Sequence, residues 1–421
     1  MALARLPTRT ISRLFRNRNF CIYFAGRSVS VIGDNFYSVA LILAVLQSTH
    51  SVTSGAMVLI AGTTPVVILT LIGGALGDRL ARNRVMISSD LVRAATQFVM
   101  VALLFQSNPP LWALMVTQFC YGVGDAFFEP AATGLLPQIV APEDLPAANS
   151  MLQFSSNSAL VAGPVMAGII IVLAGAPLAV AFDGVSFLAS AISLYFLTLP
   201  KGRVALASDS ILDQLGAGFA ELRKRKWVLV TVCYLAVMSF AFNGPIFALG
   251  PAVALSRLGG PSAWSLVLSA FGLGLISGSL VALRLLRSRH ALGWAYLGNF
   301  SAAPMLALLG TSHSKWVVAG SSALAGLTVS VFSVTYPTLL QQTIPKEIMS
   351  RVGSYFWLAR IGPLPLSLAI VGPLSVRFGI STVFNVAALS ICVATLAGAS
   401  FPAIWSIRSP ANNGVSEDTA T

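Results

Sequence analysis

The sequence predicts an all-α integral membrane protein with twelve transmembrane helices. Only 10% of its 421 residues are charged, with 26 Lys and Arg against 14 Asp and Glu, whereas about 25% is usual in a soluble domain. Hydrophobic types make up 56% of the chain, and the mean hydropathy is +0.81. A soluble protein of this length needs far more polar side chains to cover its surface. Long apolar stretches along the whole chain complete the argument.

Twelve apolar stretches reach the roughly 20 residues that a membrane-spanning helix requires. The predicted spans are 20–46, 54–77, 86–106, 110–134, 148–174, 178–199, 228–255, 263–286, 291–311, 316–340, 352–375 and 381–406. Prolines inside them, such as Pro245, are compatible with membrane helices. The first stretch is too long for the apolar region of a cleaved signal peptide, so we expect it to be retained as a span.

The basic residues are divided unequally between the two sides of the predicted bundle. An even number of spans places both termini on one side, which holds 20 of the 26 Lys and Arg; three lie on the other side and three inside spans. The positive-inside rule therefore predicts a multi-pass protein of the cell (inner or plasma) membrane with both termini in the cytoplasm. No nucleic-acid partner is expected, because the basic residues are spread over seven short segments.

A weak internal similarity divides the spans six and six. Gly74-Ala75-Leu76 in span 2 is similar to Gly278-Ser279-Leu280 in span 8, and Pro130 in span 4 has a counterpart in Pro337 of span 10. Both pairs are about half the chain apart, which predicts a duplication. Such parallel repeats are typical of transporters that rock around a site between their halves. The predicted regions are a basic N-terminus (1–19), an N-terminal six-helix bundle (20–199), a central loop (200–227), a C-terminal six-helix bundle (228–407) and a tail (408–421).

Cofactor and enzyme chemistry have no recognisable motif in this sequence. The four cysteines form no Cys-x-x-Cys pair, and no two of His50, His290 and His313 have metal-ligand spacing. No Gly-Lys dipeptide occurs, which excludes a Walker A loop and an ATPase in this chain. We therefore expect no cofactor, no metal and no enzymatic activity, and an ion gradient as the source of energy.

Five acidic residues fall inside predicted spans, and all of them lie in the first half of the chain. They are Asp34, Asp90, Asp125, Glu129 and Asp183. Each costs about 2.5–3.5 kcal/mol at the bilayer centre, so such residues normally pair, face a cavity or carry function. For Asp183 we expect a structural role, and for Asp90 a pair with Arg93, one helical turn away, that supports structure or a gate.

Asp34, Asp125 and Glu129 are the candidates for proton coupling. Asp34 and Asp125 lie at similar depths in spans 1 and 4, and Glu129 follows Asp125 by one turn on the same helix face. Two carboxylates so close in a low-dielectric site resist simultaneous ionisation, which predicts one bound proton near neutral pH. Arg27 is level with Glu129 and is expected to pair with it until a cationic substrate displaces it. A purely structural tie between helices is the alternative for each of these residues.

The second half offers candidates for contact with the substrate. Arg360 is the only basic residue deep in its spans, and it is suited to an anionic substrate group or to a carboxylate of the first half. Phe240, Phe247 and Tyr336 are candidates for lining a pocket for an amphipathic ligand. Packing or lipid contact is the alternative for these aromatic residues.

The most specific motif is the hairpin Gly74-Ala75-Leu76-Gly77-Asp78-Arg79-Leu80-Ala81-Arg82-Asn83-Arg84. It resembles the signature hairpin between spans 2 and 3 of the major facilitator superfamily. Other segments resemble the branch of that superfamily that contains the enterobactin exporter and macrolide-efflux proteins. These segments include Ser30, Gly33 and Asp34, Phe128-Glu129-Pro130-Ala131, Leu136-Pro137, Ala148-Asn149, and Gln341, Pro345, Glu347 and Arg351-Val352.

The resemblance implies two six-helix bundles around a central cavity that spans 1 and 4 line. It also implies that the hairpin is an inner gate that breaks and reforms during alternating access. The expected gate residues are Gly74, Asp78, Arg79, Arg82 and Arg84, supported by Asp90 and Arg93. The alternative is that the arginines only set orientation. Gly163-Pro164 in span 5 resembles the antiporter motif, although the upstream glycines of that motif are absent.

These features predict a monomeric secondary transporter that exports a small amphipathic molecule, a drug or natural product, by proton-coupled antiport. Its expected partners are the small-molecule substrate, protons and membrane lipid. A siderophore exporter or a lysolipid flippase of the same fold is the alternative within this class. A non-transporting receptor or scaffold is the alternative from another class, but a scaffold has no need of carboxylates on predicted cavity helices. A membrane enzyme would need a catalytic cluster, which the scattered histidines do not provide.

Overall fold

The computed structural model describes residues 8–49, 52–106, 109–199, 211–259 and 261–407. Most residues in these ranges are helical, and none of them lies in a β-strand. A backbone that crosses a bilayer must satisfy its own N–H and C=O groups, and an α-helix does so within a single segment. The prediction of an all-α membrane protein is confirmed.

The helices of the first half follow the predicted spans closely. They are α1 (Thr8–Arg16), α2 (Arg18–Thr49), α3 (Val52–Arg79), α4 (Arg82–Leu104), α5 (Leu111–Ile139), α6 (Leu145–Ala174) and α7 (Ala176–Tyr195). Prolines lie inside several of them, for example Pro65 in α3 and Pro130 in α5. Such prolines are tolerated in membrane helices because neighbouring groups satisfy the freed carbonyls.

The helices of the second half are more often interrupted. They are α8 (Ile211–Lys224), α9 (Lys226–Met238), α10 (Gly244–Val253), α11 (Pro261–Leu285), α12 (Ala291–Gly298), α13 (Ala302–Thr311), α14 (Lys315–Thr343), α15 (Met349–Ile361), α16 (Pro363–Phe378), α17 (Ile380–Ala399) and α18 (Pro402–Ser406). A π-helical turn (Ser239–Asn243) joins α9 to α10, and a 3-10 turn (Asn299–Ser301) joins α12 to α13. Each of these pairs therefore makes one span.

Ten helical segments among the described residues are long and apolar enough to cross a membrane. They coincide with ten of the predicted spans, mostly to within a few residues. The other two predicted spans coincide with α2 and α6, which are 32 and 30 residues long. Large apolar side chains such as Leu173 and Val376 remain 79% and 89% exposed, as expected where lipid rather than water surrounds a helix.

The structure differs from the predicted spans in two places. The last long helix, α17, ends at Ala399 rather than near residue 406, because Pro402 lacks an N–H and begins the separate helix α18. The polar segment between spans 6 and 7, predicted as a loop, contains α8. Leu222 on this helix is buried while Lys224 is exposed, and the loop prediction overlooked this helical spacing of apolar residues.

The described residues form two compact units. The first contains those within Met1–Ala148, Ser158–Gly218 and Ile344–Ser354, and the second those within Asn149–Asn157, Phe219–Thr343 and Tyr355–Thr421. The segment Asn149–Asn157 of α6 therefore groups with the second unit, and the start of α15, up to Ser354, with the first unit. The domain boundaries proposed from the sequence stay a prediction.

The helix pairs inside the two units correspond. In the first unit α3 packs against α5, and α7 packs against α2 and α4. In the second unit α11 packs against α14, and α17 packs against α13 and α9. In both cases span 2 of a repeat contacts span 4, and span 6 contacts spans 1 and 3. This correspondence is what the predicted duplication requires.

Glycines bring the equivalent helices into backbone contact in both units. A Cβ on Gly122 of α5 would overlap the carbonyl oxygen of Gly62 in α3. A Cβ on Gly278 of α11 would overlap the carbonyl oxygen of Leu327 in α14. Only glycine permits so close an approach of two membrane helices. The same pair of spans is therefore fixed in the same way in each unit.

Candidate functional site

Charged side chains from four helices meet inside the first unit. Ion pairs join α2 to α5 and α4 to α5, and a hydrogen bond joins α4 to α7. The residues concerned lie in the middle of their helices rather than at the ends. The members of this acidic cluster are Arg27, Asp34, Asp90, Arg93, Asp125, Glu129 and Asp183. The structure thus brings together the embedded charges of the first half.

Arg93 is almost completely buried in the acidic cluster, with a side chain that is 1% exposed. Its Nη2 lies 2.5 Å from Oδ1 of Asp90, and its Nη1 lies 3.3 Å from Oδ1 of Asp125. The guanidinium carbon lies 4.2 Å from the ring centroids of both Phe128 and Phe187, within the range of cation–π attraction. Arg93 is therefore held by two acids and two aromatic rings.

Arg27 and Glu129 form the second ion pair of the acidic cluster. Arg27 Nη2 donates to Oε1 of Glu129, and the two side chains are 16% and 20% exposed. The Arg27 guanidinium carbon also lies 4.9 Å from the Phe128 ring centroid. Phe128 is completely buried and contacts both guanidinium groups. It therefore lies at the centre of the polar cluster while contributing no charge.

Asp34 and Asp183 have only neutral partners among the described residues. The Tyr121 hydroxyl donates to Oδ1 of Asp34 at 3.2 Å. Gln97 Nε2 donates to Oδ2 of Asp183 at 2.6 Å, and Asp183 is 0% exposed. These two carboxylates therefore lack the guanidinium partners that the other three acids of the cluster have.

Asp125 and Glu129 each have a separate arginine partner in this conformation. Asp125 is paired with Arg93 and is 30% exposed, whereas Glu129 is paired with Arg27. Each carboxylate therefore has its own guanidinium partner within ion-pair distance. The proton that the sequence places on this pair stays a prediction.

Four neutral side chains of this site were not among the residues predicted from the sequence. Tyr121 and Phe128 share a face of α5 with Asp125, at i−4 and i+3, so helical spacing alone was a usable signal for them. Gln97 and Phe187 carried no such signal, because they approach the acidic cluster only through the packing of α4 and α7. The embedded charges alone therefore define only part of the site.

The gate hairpin is described in part. Arg82 is 5% exposed, and its Nη1 donates to the carbonyl oxygen of Gly134 at 2.8 Å. Its Nε donates to Oγ of Ser350 at 3.1 Å, and its Nη2 donates to the carbonyl oxygen of Lys346. Arg82 therefore ties the start of α4 to the C-terminal part of α5 and to the start of α15, all within the first unit.

The other predicted gate residues differ in their surroundings. Gly74 is buried against Ser354, and a Cβ there would lie 2.7 Å from the Cβ of that serine. Arg84 is exposed. The side chains of Asp78 and Arg79 lie outside the described residues.

The four candidates of the second half are not brought together around one pocket. Phe240 lines a cavity of about 350 Å³ between α10, α16 and α17. Phe247 is 64% exposed, and Tyr336 is 0% exposed and stacks on Phe356 with centroids 5.2 Å apart. Arg360 is exposed, and its guanidinium carbon lies 5.3 Å from the ring centroid of Trp357.

Comparison with known proteins agrees with this architecture. The sequence profile described as Major Facilitator Superfamily matches residues 23–361. The chain belongs to the Major Facilitator Superfamily. The superfamily is one of transporters and not of enzymes, so the chain is a multi-pass membrane transporter. The resemblance found in the gate hairpin is confirmed.

Two relatives within the superfamily are named for efflux. Macrolide efflux protein A of Streptococcus pyogenes is 25% identical over 382 residues, which cover 89% of this chain and 94% of the relative. Multidrug efflux pump Tap of Mycolicibacterium fortuitum is 26% identical over 365 residues, which cover 84% of this chain and 88% of the relative. Both alignments extend over most of the two chains.

A solved structure supports the superfamily fold. A bacterial homologue of the iron transporter ferroportin, in an outward-facing state, superposes with a TM-score of 0.74 and 17% sequence identity. The superposition covers 90% of this chain and 98% of that chain. At this identity the similarity shows the fold alone.

Proposed function

We propose that this transporter exports a small amphipathic molecule in exchange for protons, by alternating access. The efflux relatives support the direction of transport and the class of cargo. The observation that carries the proton coupling is the charge imbalance of the acidic cluster. Five carboxylates face only two guanidinium groups, so three negative charges lack a positive counterpart within the cluster.

Uncompensated charge in a membrane interior is unfavourable. Moving an ion out of water into a low-dielectric medium costs several kcal/mol even after relaxation, unless a partner compensates it. Protons neutralise carboxylates directly, and a cationic substrate group supplies a counter-charge. A site that needs one or the other is suited to exchanging them.

The acidic cluster has a fixed part and an accessible part. Asp90 and Arg93 are completely buried and paired, whereas the side chain of Asp125 is 30% exposed. Protonation of Asp125 removes one of the two acids on Arg93 and leaves the pair with Asp90 in place. Protonation of Glu129 likewise releases Arg27. We assign proton exchange to Asp125 and Glu129, with Arg27 as the displaceable partner and Asp34 as a further acceptor.

Arg82 is suited to act as a conformational latch. Its side chain donates hydrogen bonds to groups on α5 and at the start of α15, among them Gly134, Lys346 and Ser350. Hydrogen bonds from a charged donor contribute about 1.5–3 kcal/mol each. A helix displacement that separates these groups breaks them together, so Arg82 stabilises one conformation over another.

Phe240 is the best-supported candidate for contact with the apolar part of the cargo. Its cavity of about 350 Å³ is at the lower end of the range for small-molecule sites. Its lining is almost wholly apolar; Thr382 and Ser390 are its hydroxyl-bearing members. The exposure of Phe247 and the burial of Tyr336 favour outer-surface and packing roles for those two residues.

The proposal is tested by driving transport with an imposed pH gradient. In proteoliposomes that hold the purified protein, an acidic lumen should drive accumulation of a radiolabelled macrolide, and collapse of the gradient with an uncoupler should release it. Empty liposomes loaded in the same way correct for passive trapping of the weak base. Uptake that ignores the gradient, or that requires an alkaline lumen, would contradict proton antiport.

A further inference from the structure

A short amphipathic helix precedes the first span. On α1, three arginines recur at i, i+4 and i+7 and so share one face of the helix. They are Arg9, Arg13 and Arg16. The apolar residues fall on the opposite face: Ile11, Leu14 and Phe15. This separation of basic and apolar faces is typical of helices that lie at a membrane surface.

The helix α1 is fixed to the rest of the first unit. Leu14 is 1% exposed, and Arg13 Nε donates to Oδ1 of Asp144 at 3.1 Å. Asn17, which separates α1 from α2, donates from Nδ2 to the carbonyl oxygen of Ile139 at 2.8 Å. The hydrogen bond to Asp144 raises the pKa of Arg13, so its guanidinium remains charged. These contacts hold α1 near the end of α5 and the start of α6.

The outward side of α1 and of the start of α2 remains basic and open. Arg16 and Arg18 are exposed and make no ion pair among the described residues, and the side chain of Arg13 is 57% exposed while it contacts Asp144. The first acidic residue of the chain is Asp34. No acidic residue close in sequence therefore balances the positive charge of these arginines.

The position of these arginines along the chain sets their depth. The spanning helix α2 begins at Arg18, so Arg16 and Arg18 lie within about one helical turn of the start of the span. Phe15 is 41% exposed, and its ring contacts Phe20 and Phe24 of α2 at centroid distances of 5.7 and 5.5 Å. Apolar aromatic surface next to arginines matches the boundary between headgroups and acyl chains.

We propose that α1 and the start of α2 form a docking surface for anionic phospholipid headgroups. The exposed guanidinium groups bind the lipid phosphates, and the exposed part of Phe15 lies at the level of the upper acyl chains. Two features favour lipid over a soluble acidic partner: the surface is continuous with a membrane span, and its exposed side combines basic and apolar groups. The surface is distinct from the acidic cluster and from the gate, and it does not depend on the transported molecule.

The size of the effect follows from the number of arginines. A basic residue close to an anionic membrane surface increases the preference for anionic lipid about fivefold. Removal of two such residues should therefore reduce the preference about thirtyfold. High salt should weaken the preference as well, because it screens exposed charges beyond a few ångströms.

The test places a fluorescent reporter on α1. Ser12 is exposed, and Ser12→Cys in a variant without the four native cysteines gives one site for a bimane label. The purified protein is placed in phosphatidylcholine vesicles that carry nitroxide-labelled phosphatidylglycerol or, at the same mole fraction, nitroxide-labelled phosphatidylcholine. We expect the labelled phosphatidylglycerol to quench more strongly, and the ratio gives the relative binding constant.

The matched variants separate this surface from basic residues elsewhere. Arg16→Gln with Arg18→Gln should reduce the relative binding constant about thirtyfold, towards equal quenching. Arg289→Gln, which removes an exposed arginine far from α1 in sequence, should leave it unchanged. A salt titration of the labelled protein with Arg16 and Arg18 intact tests the same charges without the risk that a substitution disturbs folding. Equal quenching by the two lipids, a preference that survives both the substitutions and high salt, or its loss when inorganic phosphate replaces chloride at constant ionic strength would overturn the proposal.

Discussion

Nη1 of Arg93 lies 3.3 Å from Oδ1 of Asp125. The same guanidinium group also contacts Asp90 and two aromatic rings, so Asp125 is one of several partners that hold it. The shared arginine links a completely buried acid to a partly exposed one. A change in the charge of Asp125 therefore alters the electrostatic environment of Arg93, which is fixed deep in the first unit.

Removal of Arg93 should destabilise the protein. Arg93→Gln leaves Asp90 buried without its cationic partner, which typically costs about 3–5 kcal/mol. The melting temperature of the purified protein in detergent measures the loss. The double variant Asp90→Asn with Arg93→Gln removes the stranded charge and should recover part of the stability; a double variant no more stable than Arg93→Gln would show that the buried pair is not the cause.

The backbone contact between α11 and α14 should tolerate no added methyl group. Gly278→Ala forces a Cβ against the carbonyl oxygen of Leu327, and overpacking of this kind costs about 1–3 kcal/mol. Gly320→Ala on α14 is the control, because a Cβ there meets nothing within 4 Å. Thermal unfolding should separate the two variants, and equal melting temperatures would contradict the packing described.

The loss of the Arg82 side chain should slow transport without weakening binding. Arg82→Gln removes charge-assisted hydrogen bonds to Gly134, Lys346 and Ser350, and we expect turnover to fall about tenfold, which corresponds to roughly 1.4 kcal/mol. Arg84→Gln, at an exposed position in the same hairpin, should be nearly neutral. Turnover is measured in proteoliposomes and substrate affinity in detergent. Equal turnover in both variants would contradict a role of Arg82 in the gate.

Truncation of Phe240 should weaken the binding of the cargo. Phe240→Ala removes an aromatic wall of the apolar cavity, and loss of a large buried apolar contact of this kind weakens binding about tenfold or more. Phe247→Ala removes a side chain of the same size from a position that is 64% exposed. The transport KM should rise for the first variant and not for the second, and the opposite order would place the binding surface elsewhere.

The sequence predicted the spans and the depth of the embedded charges better than it predicted their partners. Apolar length fixes where a helix crosses a bilayer, so the predicted spans are close to the observed helices. Equal depth placed Arg27 level with Glu129, and the structure brings these two residues together. Depth is calculable along one helix, because the rise per residue is constant.

Contacts between helices depend on tilt and rotation, which apolar length does not determine. The contact of Arg93 with Asp125 joins α4 to α5, and that of Gln97 with Asp183 joins α4 to α7. Both contacts depend on how α4 is rotated about its own axis, and the close packing of neighbouring helices sets that rotation. Gly124 shows the same dependence. A Cβ at this position would lie 2.9 Å from Cγ of Arg93, so glycine leaves room for the arginine side chain.

The central claim is that Asp125 and Glu129 exchange protons for cargo. Its most direct test compares accumulation driven by a pH gradient with exchange at equal pH, in proteoliposomes that hold Asp125→Asn or Glu129→Gln. Glu143→Gln, at an exposed acid before α6, is the matched control. We predict that both cluster variants lose accumulation driven by the gradient and keep part of the exchange of labelled for unlabelled cargo, while the control keeps both. Accumulation at the unsubstituted rate in both cluster variants would contradict the account.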